Sequence, residues 1–399
     1  MAKAFGIVTS SPQHKVEGMQ NYRSIGAFSF LGRFRVIDFP ISNLSNSGIN
    51  NIQVYITKKP RSLVAHIGTG RHYNINSKRG KIQIVVPDEE LVNPIYNTNI
   101  NSFFSNIEYI RKQSQEYVVI APSCMIFTQN YDELLQQHAK SGADITLLYH
   151  KVFDAKEGYT TCNTLDLDGD KVQGIYPNLG DEDNKDMFME SFIMKKDLLL
   201  DLMDAARQTS SVYTLTNIVN AKCGELDVRG VEHHGFFAPI TSLETYYKAN
   251  MNLIDFDEAA SLFTADWPIY TRTSDSCPSQ FYDEAVVKNS LVSNGCEIRG
   301  SVEDSVIGRG VTIGKGAVIK GCVVNAHSEI GENVVLQNQI VDKYAKIIHE
   351  NKILAEPDQP GYIKRSDILY YPERDTLKEG IRPWYKGIKP CQRGYGSDP

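Results

Sequence analysis

From Asp283 onward, aliphatic residues recur every six positions, a period few folds can accept. Val306, Thr312, Val318, Val324, Ile330 and Leu336 make one row; Ile307, Ile313 and Ile319 make a second; glycines at 308, 310, 314, 316, 321 and 331 fall between them. A helix repeats every ~3.6 residues and a flat strand every two, so neither explains a period of six. A parallel β-helix does, because each hexad lays down one short edge with an aliphatic side chain turned inward. We therefore expect a left-handed hexapeptide-repeat β-helix over 283–354. Such helices occur in acyltransferases, nucleotidyltransferases and scaffolds alike, so the repeat defines the fold more than the chemistry.

The first half has a different rhythm. Ala4–Val8, Ile52–Thr57, Tyr117–Ala121 and Asp144–Tyr149 are apolar runs of strand length. Helical segments alternate with them: Phe39–Ser47 behind Asp38 as N-cap, Ser102–Ser114, and Tyr131–Ser141 stopping at Gly142. This alternation predicts an α/β domain, a doubly wound, mostly parallel sheet, over 1–257. Ser242–Ala260 reads as one amphipathic helix leading out of it. Residues 258–282, with Pro268 and Pro278, read as a linker, and 355–399 as a C-terminal extension.

Bulk properties exclude several classes. No apolar run approaches the ~20 residues of a membrane span, and the N-terminus reads as a first strand rather than a signal peptide. A formal charge of −6 gives no general attraction to nucleic acid or acidic membranes. The seven cysteines are scattered, without a C-x-x-C pair, as expected of reduced thiols in a cytoplasmic protein.

The segment GRFRVIDFPISNLSNSGI (Gly32–Ile49) resembles the framework of bacterial ADP-glucose pyrophosphorylase, a glucose-1-phosphate adenylyltransferase. SLETYYKANMNL and NSLVSNGCEIRGSVEDSVIGRGVTIGKGAVIKGCVV resemble later segments of the same family, in the same order. The resemblance implies a Rossmann-like nucleotidyltransferase domain followed by the β-helix. It also implies where the chemistry should sit, and there the chain departs. Adenylyl transfer needs backbone amides for the triphosphate, a cation on the moving phosphoryl group, and carboxylates for Mg²⁺. The family's glycine-rich loop falls on Thr9–Val16, TSSPQHKV, with Pro12 lacking an N–H and Lys15 in place of an arginine. The two metal aspartates fall on Cys124 and Pro239, and the sugar-phosphate lysine on Asn178. The sugar-contacting S-M-G falls on Phe188–Glu190, and a second nucleotide loop on Thr98–Ser102.

These losses make the chain resemble the GlgD-type subunit of the family. The resemblance implies a regulatory, non-catalytic role beside a GlgC-type catalytic subunit in a heterotetramer, with Mg²⁺ held by that partner and no cofactor on this chain. The alternatives are a weakly active adenylyltransferase and, less favoured, a hexapeptide-repeat acyltransferase built around His327. Arg23, Arg33, Arg35, Lys58, Lys59 and Arg61 are candidates for binding an anion, such as a phosphorylated metabolite effector. The family's effector lysine is replaced by Ile25. Other polar residues read as structural: Asp38 as a cap, His233 and His234 as one core and one surface residue, and Asp166, Asp168 and Asp170 as a hairpin turn.

Overall fold

Each aliphatic run in the first half becomes a strand of one sheet. The computed structural model describes residues 4–10, 14–75, 78, 80–86, 98–348 and 352–365. Pro12 and residues 366–399, including Cys391, lie outside the described residues. Among the described residues, the main sheet has nine strands. Their order is Lys81–Val85, Asn51–Tyr55, Ala4–Thr9, Tyr117–Pro122, Lys185–Lys195, Ile145–Val152, Val228–Glu232, Lys171–Pro177 and Asn163–Asp168. The first four run parallel. Lys185–Lys195 is antiparallel to both of its long neighbours. Along Ala4–Thr9, Phe5 and Ile7 enter one apolar cluster while Ala4 and Val8 enter another. Both faces are covered, which is why the strand reads as a continuous apolar run rather than an alternating one.

Tyr131–Ser141 is helical as expected, with Asn130 accepting the N–H groups of Asp132 and Glu133 and Gly142 at φ 69°. Two long helices expected from periodicity are each broken. Ser102–Ser114 becomes Asn99–Ser105 and Ile107–Arg111. Ser242–Ala260 becomes Leu243–Asn252 and Phe256–Leu262, because the Asp255 carboxylate accepts the N–H groups of Asp257 and Glu258 and starts a new helix. Asp38 lies inside the first turn of Asp38–Asn46 instead of capping it. The linker is held on that helix: Trp267 Nε1 donates to Asn43 Oδ1 at 2.9 Å and Asn46 Nδ2 to Pro268 O at 3.0 Å.

The C-terminal part is a left-handed parallel β-helix of three five-stranded sheets, running from Gln280–Phe281 to Gly361–Ile363. Three aliphatic ladders fill it: Ile298–Ile313–Ile330–Ile347, Val302–Ile319–Leu336–Ile353 and Val292–Ile307–Val324–Val341–Ile363. The two sequence rows therefore exchange roles. Ile307, Ile313 and Ile319 point inward, whereas Thr312 and Val318 are exposed. From Val324 the other row turns in, because the later coils are one residue short of three full hexads.

The two parts share a core. Val306, Val323 and Ile340 of the β-helix join the cluster beneath the sheet domain. Tyr246 Oη donates to Ser29 O at 2.7 Å, and Tyr247 Oη to Gly321 O at 2.6 Å. Gly18, at φ 76°, lies so close to Tyr362 that a Cβ there would stand 2.3 Å from the ring.

Candidate functional site

In open α/β sheets, ligands bind beyond the carboxyl ends of the strands, where the strand order reverses. Here Ala4–Thr9, Asn51–Tyr55 and Tyr117–Pro122 end together. Ser10 Oγ stands 3.4 Å from Thr57 Oγ1, and Ser123 N donates to Thr9 O at 2.8 Å. A cavity of about 310 Å³ lies at this edge, bordered by Ser10, His14, Lys15, Arg23, Lys58 and Cys124.

The structure brings Cys124 and Pro239 together. Pro239 pairs with Met125 across a short two-stranded sheet, and Ile240 N donates to Cys124 O at 2.7 Å. Both are buried. Next to them, His14 Nε2 is 3.1 Å from Glu190 Oε1. Glu190 occupies a bulge in Lys185–Lys195, at φ 48°, a left-handed conformation unusual for a residue with a side chain. That is the position the family gives to the glycine of S-M-G. Burial opposes a charge on His14, but Cys124 and Glu190 close beside it outweigh this and hold it well above the ordinary range. Burial pushes the Cys124 thiol up, with His14 partly opposing. A side-chain cluster thus lines the wall of the cavity at the place where the resemblance implies that substrate would be held.

The catalytic members of the family this chain resembles would hold Mg²⁺ at the corresponding place. Mg²⁺ demands near-octahedral oxygen ligands. The groups around Cys124 are a thiol, an imidazole and one carboxylate, and Pro239 has no ligating side chain. They do not fit Mg²⁺.

The other positions named from the sequence have structural partners. Asn178 is buried; its Nδ2 donates to Ala155 O at 2.8 Å and its Oδ1 accepts from Gly180 N at 3.1 Å. It stands with Phe153 and Tyr176 around a different cavity. Thr98 caps a helix, its Oγ1 accepting from Asn101 N at 3.2 Å, where the family has a nucleotide loop. Asp38 accepts from Arg35 N at 2.8 Å and is 2.6 Å from both His66 Nε2 and Tyr73 Oη. Its carboxyl is held low by those partners against the effect of burial. His233 is buried against Thr128 O at 3.0 Å while His234 is exposed. Asp168 and Asp170 flank a hairpin turn at Gly169.

The six basic candidates divide. Lys58 borders the cleft with Lys15, while Lys59 Nζ donates to Gln20 O at 3.1 Å. Arg61 is exposed on the helix Arg61–Ile67. Arg33 is exposed and lies beside Arg309, whose Nη2 donates to Arg33 O at 3.0 Å. Arg35 Nη1 donates to Ser62 O at 2.8 Å. Arg23 is buried and forms a two-pronged ion pair with Asp342 of the β-helix.

Sequence reading missed the β-helix half of this junction. Lys343 follows Asp342, and its ammonium is pushed down to about 7 by burial, by Arg35 and Arg23, and by Arg309, with Asp342 opposing. His66 and His327 also feel Lys343, and Arg272 acts on Arg35. Cations therefore outnumber the carboxylates Asp38 and Asp342 where the domains meet. No local motif marks Arg309 or Lys343; they arrive through the coil register.

Two family models match the chain: a nucleotidyl transferase model over residues 22–173, and a GlmU-like C-terminal hexapeptide model over 277–361. A glucose-1-phosphate adenylyltransferase of Clostridium perfringens is 31% identical over 316 residues, 76% of this chain and 78% of the relative. The glycogen biosynthesis protein GlgD of Bacillus subtilis is 27% identical over 354 residues, 88% of this chain and 93% of the relative. GlgD of Geobacillus stearothermophilus is 28% identical over 319 residues, 79% and 83% respectively. Among the described residues, no helix is long and apolar enough to cross a membrane.

Proposed function

The chain belongs to the glucose-1-phosphate adenylyltransferase family, and from that premise we propose that it acts in glycogen biosynthesis as a regulatory, non-catalytic subunit beside a GlgC-type catalytic subunit. The observation that supports this reading is the make-up of the cleft: at the two positions that the resemblance assigns to metal carboxylates stand Cys124 and Pro239, side by side, with the His14–Glu190 pair close to Cys124. A subunit without this chemistry influences flux only through a partner. Apolar side chains left in solvent, Phe153 and Leu179 among them, offer surface for one.

Mixing purified chain with the catalytic subunit should give a hetero-oligomer by native mass measurement. Its apparent affinity for substrate or effector should differ from that of the catalytic subunit alone by about 5- to 150-fold, the usual range of coupling between sites. Absence of a mixed species, or unchanged kinetics in one, defeats the proposal.

The effector reading places a phosphorylated metabolite at the junction of Arg35, Arg309 and Lys343. An anion there raises the Lys343 ammonium from about 7 back toward its ordinary 10.5, so binding takes up a proton above pH 7. Affinity for a phosphorylated metabolite should be flat below that pH and fall as pH rises through it. The same shift means that the unfolded chain holds the Lys343 proton between about 7 and 10.5 while the folded chain does not. This group's contribution to stability therefore rises with pH across that window and declines as pH falls toward 7. Calorimetric titration across pH, with Lys343→Met as the control that abolishes the dependence, checks both statements.

A further inference from the structure

We propose that His14, Cys124 and Glu190 form a binding site for a zinc-class divalent cation, which closes the cleft as a structural staple. Their ligand atoms all lie within 4.8 Å of one another, the single such group of three among the described residues. His14 and Cys124 are 1% exposed and Glu190 9%. The three come from separate segments: the loop after Ala4–Thr9, the turn after Tyr117–Pro122, and the bulge in Lys185–Lys195. Holding a staple there would fix the loop to two strands at once.

The donor set selects the ion. Zinc accepts thiolate, imidazole and carboxylate together, with bonds of about 2.0–2.3 Å, which puts neighbouring ligands of one tetrahedron roughly 3–4 Å apart. His14 Nε2 and Glu190 Oε1 already stand at 3.1 Å. The imidazole also interacts with the Cys124 thiol, so His14 lies between the other two ligands. Hard ions such as Mg²⁺ and Ca²⁺ gain little from sulfur and nitrogen. When the cation enters, the Cys124 thiol proton and the proton between His14 and Glu190 leave to solvent, and no electron is transferred. The cavity at the strand ends leaves room for a water as fourth ligand.

This site is independent of the regulatory reading, and its test needs no activity measurement. The full chain is stripped with a chelator, then titrated with Zn²⁺ against a chromophoric competitor and, separately, with Co²⁺. We expect one tight equivalent, a thiolate-to-cobalt charge-transfer band in the near ultraviolet, and a higher unfolding temperature in the loaded protein. Cys124→Ser should remove the band and weaken Zn²⁺ binding by more than about 100-fold, beyond what loss of a supporting residue costs. His14→Gln should weaken it similarly and guards against misfolding of the buried cysteine variant. Cys277→Ser, which changes an exposed thiol, should leave binding intact. Absence of stoichiometric Zn²⁺ binding, or binding that survives both Cys124→Ser and His14→Gln, or binding that follows Cys277, overturns the proposal.

Discussion

Purified chain supplied with ATP, glucose 1-phosphate and Mg²⁺ should release no pyrophosphate above background. The two positions that the resemblance assigns to the metal are a buried thiol and a proline. Losing one well-placed electrostatic contact in a transition state lowers rate by roughly 10²–10³, and here two carboxylates are missing together. The double variant Cys124→Asp with Pro239→Asp should remain inactive, because the His14–Glu190 pair still stands beside position 124 and Asn178 is committed to Ala155 and Gly180. A coupled pyrophosphate assay on protein free of the catalytic subunit decides this. Turnover within about 10²-fold of a catalytic relative would restore the competing reading of a weakly active adenylyltransferase.

Arg23→Ala should be the most destabilising single change at the domain junction, by about 3–5 kcal/mol, the usual result of stripping one partner from a buried ion pair. Asp342 is fully buried and accepts from Arg23, from Tyr362 Oη at 2.9 Å and from Lys343 N at 2.7 Å. Without the guanidinium its charge stays in place with weakened compensation. Replacing both partners, Arg23→Met with Asp342→Leu, should lose less than Arg23→Ala alone, since no bare charge remains. Urea denaturation of wild type, Arg23→Met, Asp342→Leu and the double variant, with Arg23→Ala alongside, measures the coupling. A midpoint for Arg23→Ala equal to wild type would show that the pair does not hold the domains together.

Arg23 also shows how far a single residue can be read from sequence. As a basic residue just before the GRFRVIDF framework, it looked like an anion ligand. The structure commits it to a carboxylate 319 positions away. Arg35 donates to the neutral Ser62 and so keeps its charge, and Arg33 keeps an exposed side chain. Charge is legible in a sequence, but whether that charge is already neutralised depends on long-range partners. Helix continuity failed for a local reason: periodicity carried Ser242–Ala260 through as one helix, while the Asp255 cap interrupts it.

The sequence by itself determined the two architectures and their order, because strand burial and coil stacking impose periods that survive in the residue pattern. The resemblance singled out Cys124 and Pro239, and the structure sets these two residues side by side. Tertiary structure alone decided which row of the six-residue repeat faces inward, because one residue per coil sets that register. It alone placed His14 and Glu190 beside Cys124, and Lys343 beside Arg35 and Arg309. Those groups are distant in the chain and carry no shared spacing; they meet only because the sheet edge and the β-helix bring their backbones together.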